Sequence, residues 1–162
     1  MDLAIISAGE SSRMFSEGMS IPKPLVHING KPMIRRIIDI AVNNGMKSIK
    51  CIINDKFSEL KSYLCNNDFG VPIELIVKST PSSMHSLFEL SKFLKNDNFC
   101  LATVDTVFLE DEYKSFIDYT KSLNGCDGVL AVTKFIDDEK PLCVKLEGER
   151  IVEFKDNKNG MK

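Results

Sequence analysis

Two cationic side chains lie close to the start of this sequence, beside a stretch of small residues. Arg13 belongs to the small, polar, glycine-containing stretch at residues 8–14, and Lys23 follows between two prolines. Small residues let backbone N–H groups approach an anion closely, because no bulky side chain stands in the way. Two positive charges beside such a backbone are the chemistry of a polyphosphate site. The residue types alone leave open an ordinary turn whose basic side chains are simply solvated.

The glycine pattern in this stretch excludes two common nucleotide-binding motifs. Ser11 and Met14 stand where a G-x-G-x-x-G fingerprint needs glycine, so the dinucleotide motif is not met. The sequence also contains no G-x-x-x-x-G-K-[ST] P-loop. A phosphate site here must therefore be of another type.

A single carboxylate, Asp105, follows an apolar run at residues 99–104. A carboxylate at such a position is costly to bury unless it is paired or bound to a cation. Mg²⁺ is often held by one or two carboxylates together with phosphate oxygens and water, so Asp105 is a candidate magnesium ligand. The alternative is that Asp105, with Thr106, caps the turn that follows.

Three segments together resemble the opening of the nucleotidyltransferases that make nucleoside-diphosphate sugars and related activated alcohols. The family signature runs roughly A-A-G-x-G-[ST]-R-[LM], then P-K-x-[LM], then G-K-P-[LMI]-[IL]. The corresponding segments are residues 7–14, 22–25 and 30–34. Their order and spacing are most similar to the branch that acts on sugar 1-phosphates, although enzymes that guanylylate a cofactor or cytidylylate phosphocholine share much of the signature. Ser11 departs from it, because the family usually has a second glycine there.

The resemblance implies a role for each matching residue. Arg13 and Lys23 would be catalytic, with Arg13 on the β- and γ-phosphates and Lys23 near the α-phosphate. Asp105 would bind Mg²⁺, the implied cofactor. The implied nucleotide-binding residues are Ala8, Gly9, Glu10, Ser11, Ser12, Arg13, Lys23, Ser82 and Ser83. For Glu10, a solvated loop acid is the alternative.

Ser82 and Ser83 stand where the family uses a turn rich in Gly and Thr to contact the nucleobase. They match that turn by position and not by identity, so the base preference stays open. An ordinary helix start is the alternative, because residues 86–89 fit a capping box.

The resemblance further implies the reaction and its partners. A sugar 1-phosphate, or a similar phosphorylated small molecule, would attack the α-phosphorus of a nucleoside triphosphate and expel pyrophosphate, which requires no nucleophilic side chain. We expect the acceptor site and a second metal-binding Asp to lie beyond residue 162, which makes the domain incomplete at its C-terminus. A catalytically inactive nucleotide-binding or structural domain of the same fold is the alternative, and Ser11 favours it.

Strands and helices alternate along the chain and must position these residues. Apolar runs predict buried strands at residues 3–7, 48–53, 71–77, 99–104 and 126–133. Helical stripes predict helices around residues 32–44, 57–64, 84–94 and 113–120, the third with Met84, Leu87, Phe88, Ser91 and Leu94 inward. Residues 142–146 and 151–154 flank a hairpin turn.

This alternation predicts an α/β fold with three α/β/α layers, a mostly parallel, Rossmann-like sheet and an added β-hairpin. In such sheets the ligand binds beyond the carboxyl ends of the strands. We therefore expect the loop after the first strand, the turn at residues 79–83 and Asp105 to meet at one edge of the sheet.

Composition bounds the remaining expectations. The 162 residues suit one domain, predicted at residues 1–155 and followed by a polar tail at 156–162. Charged residues make up 27% and leave a net charge of -2, which argues against general nucleic-acid binding. The five cysteines form no C-x-x-C pair and indicate reduced, mostly buried thiols. No apolar run approaches the length of a membrane span, so we expect a cytoplasmic protein with no membrane partner. If the domain is incomplete, an apolar edge of its core is left uncovered, and this makes a homo-oligomer possible.

Overall fold

The computed structural model describes residues 1–9, 18, 20–95, 98–135 and 142–155. The chain separates into two compact units, Met1–Leu123 and Asn124–Lys162. The first unit contains a parallel sheet with helices, and the second contains an antiparallel hairpin. A single domain over residues 1–155 stays a prediction, and the predicted tail lies outside the described residues.

A four-stranded parallel sheet forms the centre of the first unit. Its strands are β1 (Asp2–Ser7), β4 (Ile49–Ile53), β5 (Ile73–Val77) and β6 (Phe99–Thr103), in the order β5-β4-β1-β6. The central strand β1 is buried at every residue, as its apolar sequence predicts. Because all four strands run parallel, their carboxyl ends share one edge of the sheet. We call this edge the rim, and it consists of residues 8–9, 54–55, 78–79 and 104–105.

Helices cover both faces of this sheet. The helices α1 (Met33–Asn43), α2 (Ser58–Asn66) and α4 (Glu110–Ser122) contribute to one buried cluster, and α3 (Ser83–Ser91) contributes to a second. Alternate residues of β1 enter the two clusters, because successive side chains of a strand point to opposite faces. The predicted α/β/α layering is thereby confirmed. No helix within the described residues has the length and apolar character to cross a bilayer.

A short connection leads from the 3₁₀ turn at Lys23–Leu25 into α1. It contains a two-residue antiparallel ladder, β2 (His27–Ile28) with β3 (Lys31–Pro32). The helix α1 ends at a turn in which Gly45 has φ +87°. Glycine adopts this left-handed backbone without steric cost, so the predicted helix end is confirmed.

The second unit contains the predicted hairpin, formed by β7 (Cys143–Glu147) and β8 (Arg150–Lys155). The predicted strand at residues 126–133 is wrong, because those residues pair with no strand in the described part of the chain. A strand needs hydrogen bonds from a neighbouring segment. An apolar run in the sequence does not supply that neighbour.

The predicted inward face of α3 is only partly right. Met84 and Phe88 are 72% and 66% exposed and Ser91 is exposed as well, whereas Leu90, which the stripe omitted, is fully buried beside Leu87. The helix is short and carries apolar residues on more than one side, so its own pattern does not decide which side faces the sheet. The contact with the sheet decides it.

Candidate functional site

Lys23 and Asp105 come together although they are 82 residues apart in sequence. The Lys23 Nζ atom donates a hydrogen bond to Asp105 Oδ2 at 3.0 Å. The two side chains are 39% and 51% exposed, so solvent and ligands can reach both. Two of the four charged side chains singled out in the sequence are therefore neighbours at the rim.

The position of Lys23 is fixed by its attachment to α1. Pro24, the next residue, is buried, and the Val26 carbonyl accepts a hydrogen bond from the Met33 N–H at 2.9 Å. The 3₁₀ turn is thereby tied to the first residue of the helix. The ammonium group extends from this fixed turn toward the end of β6.

Asp105 extends from an equally well-anchored segment. Val104, immediately before it, is buried in the main core. Partial burial alone would raise the pKa of the Asp105 carboxyl, but hydrogen bonds from Lys23 and Thr103 and the charge of Lys23 hold that pKa below its ordinary value. The carboxylate is therefore ionised at neutral pH, which is the form that binds a cation.

The Lys23–Asp105 ion pair is itself a weak interaction. An exposed pair of this kind contributes about 0–1 kcal/mol, because water screens the charges and two flexible side chains lose freedom. Each partner can therefore exchange the other for a ligand group at small cost. A cation for Asp105 and an anion for Lys23 are the complementary ligands.

A single carboxylate suits a magnesium ion that takes most of its ligands from a substrate. Among the described residues, no group of three or more His, Cys, Asp and Glu side chains could hold a metal unaided. Mg²⁺ commonly keeps water and phosphate oxygens beside one or two carboxylates. Asp105 is exposed and ionised at the rim, so it is suited to be the single protein ligand of such a magnesium ion.

Ala8 and Gly9 continue β1 onto the rim. Ala8 is buried and Gly9 is exposed, and among the described residues other than its chain neighbours no heavy atom lies within 4 Å of where a Cβ on Gly9 would lie. The described part of the chain therefore leaves space beside Gly9 for a close ligand. The other predicted residues of this stretch lie outside the described residues and stay predictions: Glu10, Ser11, Ser12 and Arg13.

The serine pair lies at the start of α3, in the segment that follows β5. The Ser82 hydroxyl accepts a hydrogen bond from the His85 N–H at 3.4 Å and lies 2.9 Å from His85 Nδ1. Ser83 is the first helical residue and is exposed. The alternative of an ordinary helix start is confirmed in part: Ser82 is the N-cap, so Ser86 lies inside the helix and is not the first residue of a capping box at residues 86–89. Contact of either serine with a base stays a prediction.

Asn54 is a rim residue that the sequence analysis missed. Its side chain is buried, and its amide nitrogen donates to the Ala8 carbonyl at 3.0 Å. Its side-chain oxygen accepts from the Lys56 N–H and from the Ser79 hydroxyl, each at 3.0 Å. Asn54 therefore joins the ends of β1, β4 and β5. A polar residue directly after a buried strand was the available signal, since the same signal identified Asp105.

Comparison with solved structures gives the class of fold. The inositol-1-phosphate CTP transferase of T. maritima has a TM-score of 0.71 over 98% of this chain and 64% of its own, at 16% identity. At that identity the likeness shows a shared fold and nothing finer.

Sequence comparison gives the family. The profile of the MobA-like NTP transferase domain matches residues 3–150, so the chain belongs to that family. It is 28% identical over 122 residues to the D-glycero-alpha-D-manno-heptose 1-phosphate guanylyltransferase of Campylobacter jejuni, covering 75% of this chain and 55% of that protein. It is 26% identical over 140 residues to the mannose-1-phosphate guanyltransferase of Gibberella zeae, covering 84% of this chain and 38% of that protein. The chain thus spans about half or less of the length of these relatives.

Proposed function

We propose that the rim binds a nucleoside triphosphate with Mg²⁺ and supports transfer of its nucleotidyl group to a sugar 1-phosphate or a similar phosphorylated small molecule. The observation that carries the proposal is the exposed 3.0 Å pair of Lys23 and Asp105 at the carboxyl end of the sheet. Family membership and the names of the relatives support it, because those relatives guanylylate 1-phosphates of a heptose and of mannose. Since the chain spans only part of their length, the transfer itself is part of the proposal.

The chemistry is an in-line displacement at phosphorus. An oxygen of the acceptor phosphate forms a bond to the α-phosphorus while the bond to the departing pyrophosphate breaks, and positioning and charge neutralisation supply most of the catalysis. Lys23 stabilises the negative charge that develops on the α-phosphate oxygens. Arg13 neutralises the β- and γ-phosphates and so stabilises the leaving pyrophosphate.

Asp105 is the protein ligand for the metal. When bound there, Mg²⁺ would supply positive charge that offsets the negative charge of the phosphates. In the free protein Lys23 neutralises Asp105, and the weakness of that pair allows both side chains to take up their substrate partners. Asn54 holds the Ala8 carbonyl and thereby fixes where the nucleotide-binding stretch begins.

Pyrophosphate release tests the proposal. ATP, CTP, GTP and UTP are each incubated with Mg²⁺ and with a panel of hexose and heptose 1-phosphates, and EDTA serves as the control. We expect release that requires Mg²⁺ and depends on one triphosphate and one class of acceptor. Triphosphate binding without release under any combination would favour the inactive domain, and the absence of both would reject the site.

Three further properties stay predictions beside this proposal. They are a cytoplasmic location, the absence of nucleic acid as a partner, and a possible homo-oligomer. Sedimentation of the purified chain, alone and with nucleic acid, measures the last two.

A further inference from the structure

Two adjacent arginines of α1 make matching contacts with two different segments. The Arg36 guanidinium donates a hydrogen bond to the Phe108 carbonyl, and its Cζ lies 5.9 Å from the centroid of the Phe108 ring. The Arg35 guanidinium donates to the Asp68 carbonyl at 3.0 Å, and its Cζ lies 4.9 Å from the centroid of the Phe69 ring. Both side chains thus hold a carbonyl and lie over an aromatic ring, but the Arg35 Nε atom also donates to Asp39 Oδ1 at 2.7 Å.

The segment that Arg36 contacts is the one that carries Asp105. Val104 anchors the start of this segment in the core, and Phe108 anchors its other end. The Phe108 ring stacks on the Tyr113 ring of α4 at a centroid distance of 5.4 Å, with Arg36 also within cation–π range. Asp105 is therefore held between two fixed points, one of which depends on Arg36.

Helix α1 also fixes Lys23, the ion-pair partner of Asp105. The Met33 N–H holds the Val26 carbonyl and with it the turn that carries Lys23. The distance between Lys23 and Asp105 is therefore set by two attachments to α1, one at its first residue and one at Arg36. A change in either attachment moves one charge relative to the other.

We propose that Arg36 is a positioning residue that places Asp105 for the magnesium-bound triphosphate, acting through the Phe108 carbonyl. The inference rests on the proposed function, because it assigns a determinant of metal use at that same site. Removing the guanidinium leaves the Phe108 carbonyl without this donor and frees the end of the segment. Metal coordination is sensitive to such a shift, since Mg²⁺ requires near-ideal octahedral geometry.

The matched pair Arg36→Met and Arg35→Met separates positioning from simple stabilisation. Methionine keeps an unbranched apolar stem for packing and removes the charge and the N–H donors in both variants. The two measurements are the Tm and the ratio of the Kd of GTP in EDTA to the Kd of GTP in Mg²⁺. GTP is the probe because the relatives named above are guanylyltransferases.

We expect both variants to lose a few degrees in Tm, and Arg35→Met to lose at least as much as Arg36→Met because it also breaks the ion pair with Asp39. Only Arg36→Met should reduce the ratio of the two Kd values, by about tenfold. The milder pair Arg36→Lys and Arg35→Lys decides the matter if Arg36→Met does not fold. Lysine keeps the positive charge and a single donor nitrogen but lacks the planar fork. We therefore expect about a threefold reduction of the Kd ratio in Arg36→Lys and none in Arg35→Lys.

Two results would overturn the inference, and a third would count against the function instead. The inference fails if Arg35→Met and Arg36→Met reduce the Kd ratio equally, or if Arg36→Met leaves the ratio unchanged. Either result would show that Arg36 has only a structural role. A wild-type protein that binds GTP equally well with Mg²⁺ and with EDTA would refute the proposed magnesium site itself. The wild-type measurement therefore distinguishes the two failures.

Discussion

The central strand of the first unit and the last strand of the second are buried to very different degrees. Every residue of β1 in the first unit is buried, whereas none of the 6 residues of β8 in the second is. Lys23, Asp105 and Asn54 all belong to the first unit. The candidate site therefore lies in a unit whose central strand is fully buried, whereas among the strand residues of the hairpin only Cys143 is buried.

We expect the largest effect when the free energy of unfolding is compared for one variant in each unit. Ile38→Ala in α1 removes a fully buried side chain and should lower the free energy of unfolding by about 2–5 kcal/mol. Phe154→Ala in β8 removes a side chain that is 58% exposed and should change it by about 0.5 kcal/mol or less. Urea denaturation measures both. Comparable losses in the two variants would mean that the hairpin has a substantial core of its own.

Lys23→Ala tests the chemistry that the first unit is proposed to support. We expect turnover to fall about a hundredfold or more, because the change removes a charge directed at the transition state. The Tm should hardly change, since a half-exposed lysine contributes little packing. Unfolding that parallels the loss of activity, or activity that survives, would contradict the assigned role.

Asn54→Ala probes the junction between three strand ends. It leaves the Ala8 carbonyl without its buried partner, whereas the Ser79 hydroxyl keeps Asp55 Oδ1 at 2.5 Å, so we expect a loss of about 1–3 kcal/mol in the free energy of unfolding. Asn67→Ala is the matched control, because exposed Asn67 also donates to a carbonyl, that of Tyr63 at 2.8 Å. That control should lose much less, and equal losses would show that burial of Asn54 is unimportant.

The smallest expected effect is the pH dependence of the exposed ion pair. The pKa of Asp105 is lower in the folded protein, so its contribution to stability is present above the unfolded pKa and is lost as pH falls through the folded pKa. Asp105→Asn should therefore cost about 1 kcal/mol or less at neutral pH, with the difference from wild type vanishing in acid. If the difference in stability between wild type and Asp105→Asn grew as the pH fell, it would contradict a stabilising ion pair at Asp105.

The architecture of the first unit was predictable because its signals are local. The apolar run of β1, the stripe of α1 and the glycine that ends it each determine one element, and parallel strands then determine the rim. The position of Asp105 followed from the same rule, since it directly follows a buried strand. Asn54 carries the same signal after β4 and was overlooked.

The errors fall where contacts between distant segments decide the outcome. A strand at residues 126–133 needs a hydrogen-bonding neighbour, and the exposed Met84 and Phe88 of α3 depend on how that helix meets the sheet. The pairing of Lys23 with Asp105 at 3.0 Å, and the hold of Arg36 on Phe108, likewise join segments far apart in sequence. No local pattern encodes such contacts.

The most direct test of the proposed site compares GTP binding by wild type and Asp105→Asn, each with Mg²⁺ and with EDTA, in a calorimetric titration. Asparagine keeps the shape of the side chain and removes the charge that a magnesium ion needs. We expect Mg²⁺ to strengthen GTP binding by wild type and to have little effect on Asp105→Asn, with similar affinities for both proteins in EDTA. An undiminished gain from Mg²⁺ in Asp105→Asn would contradict the assignment of Asp105 as the magnesium ligand.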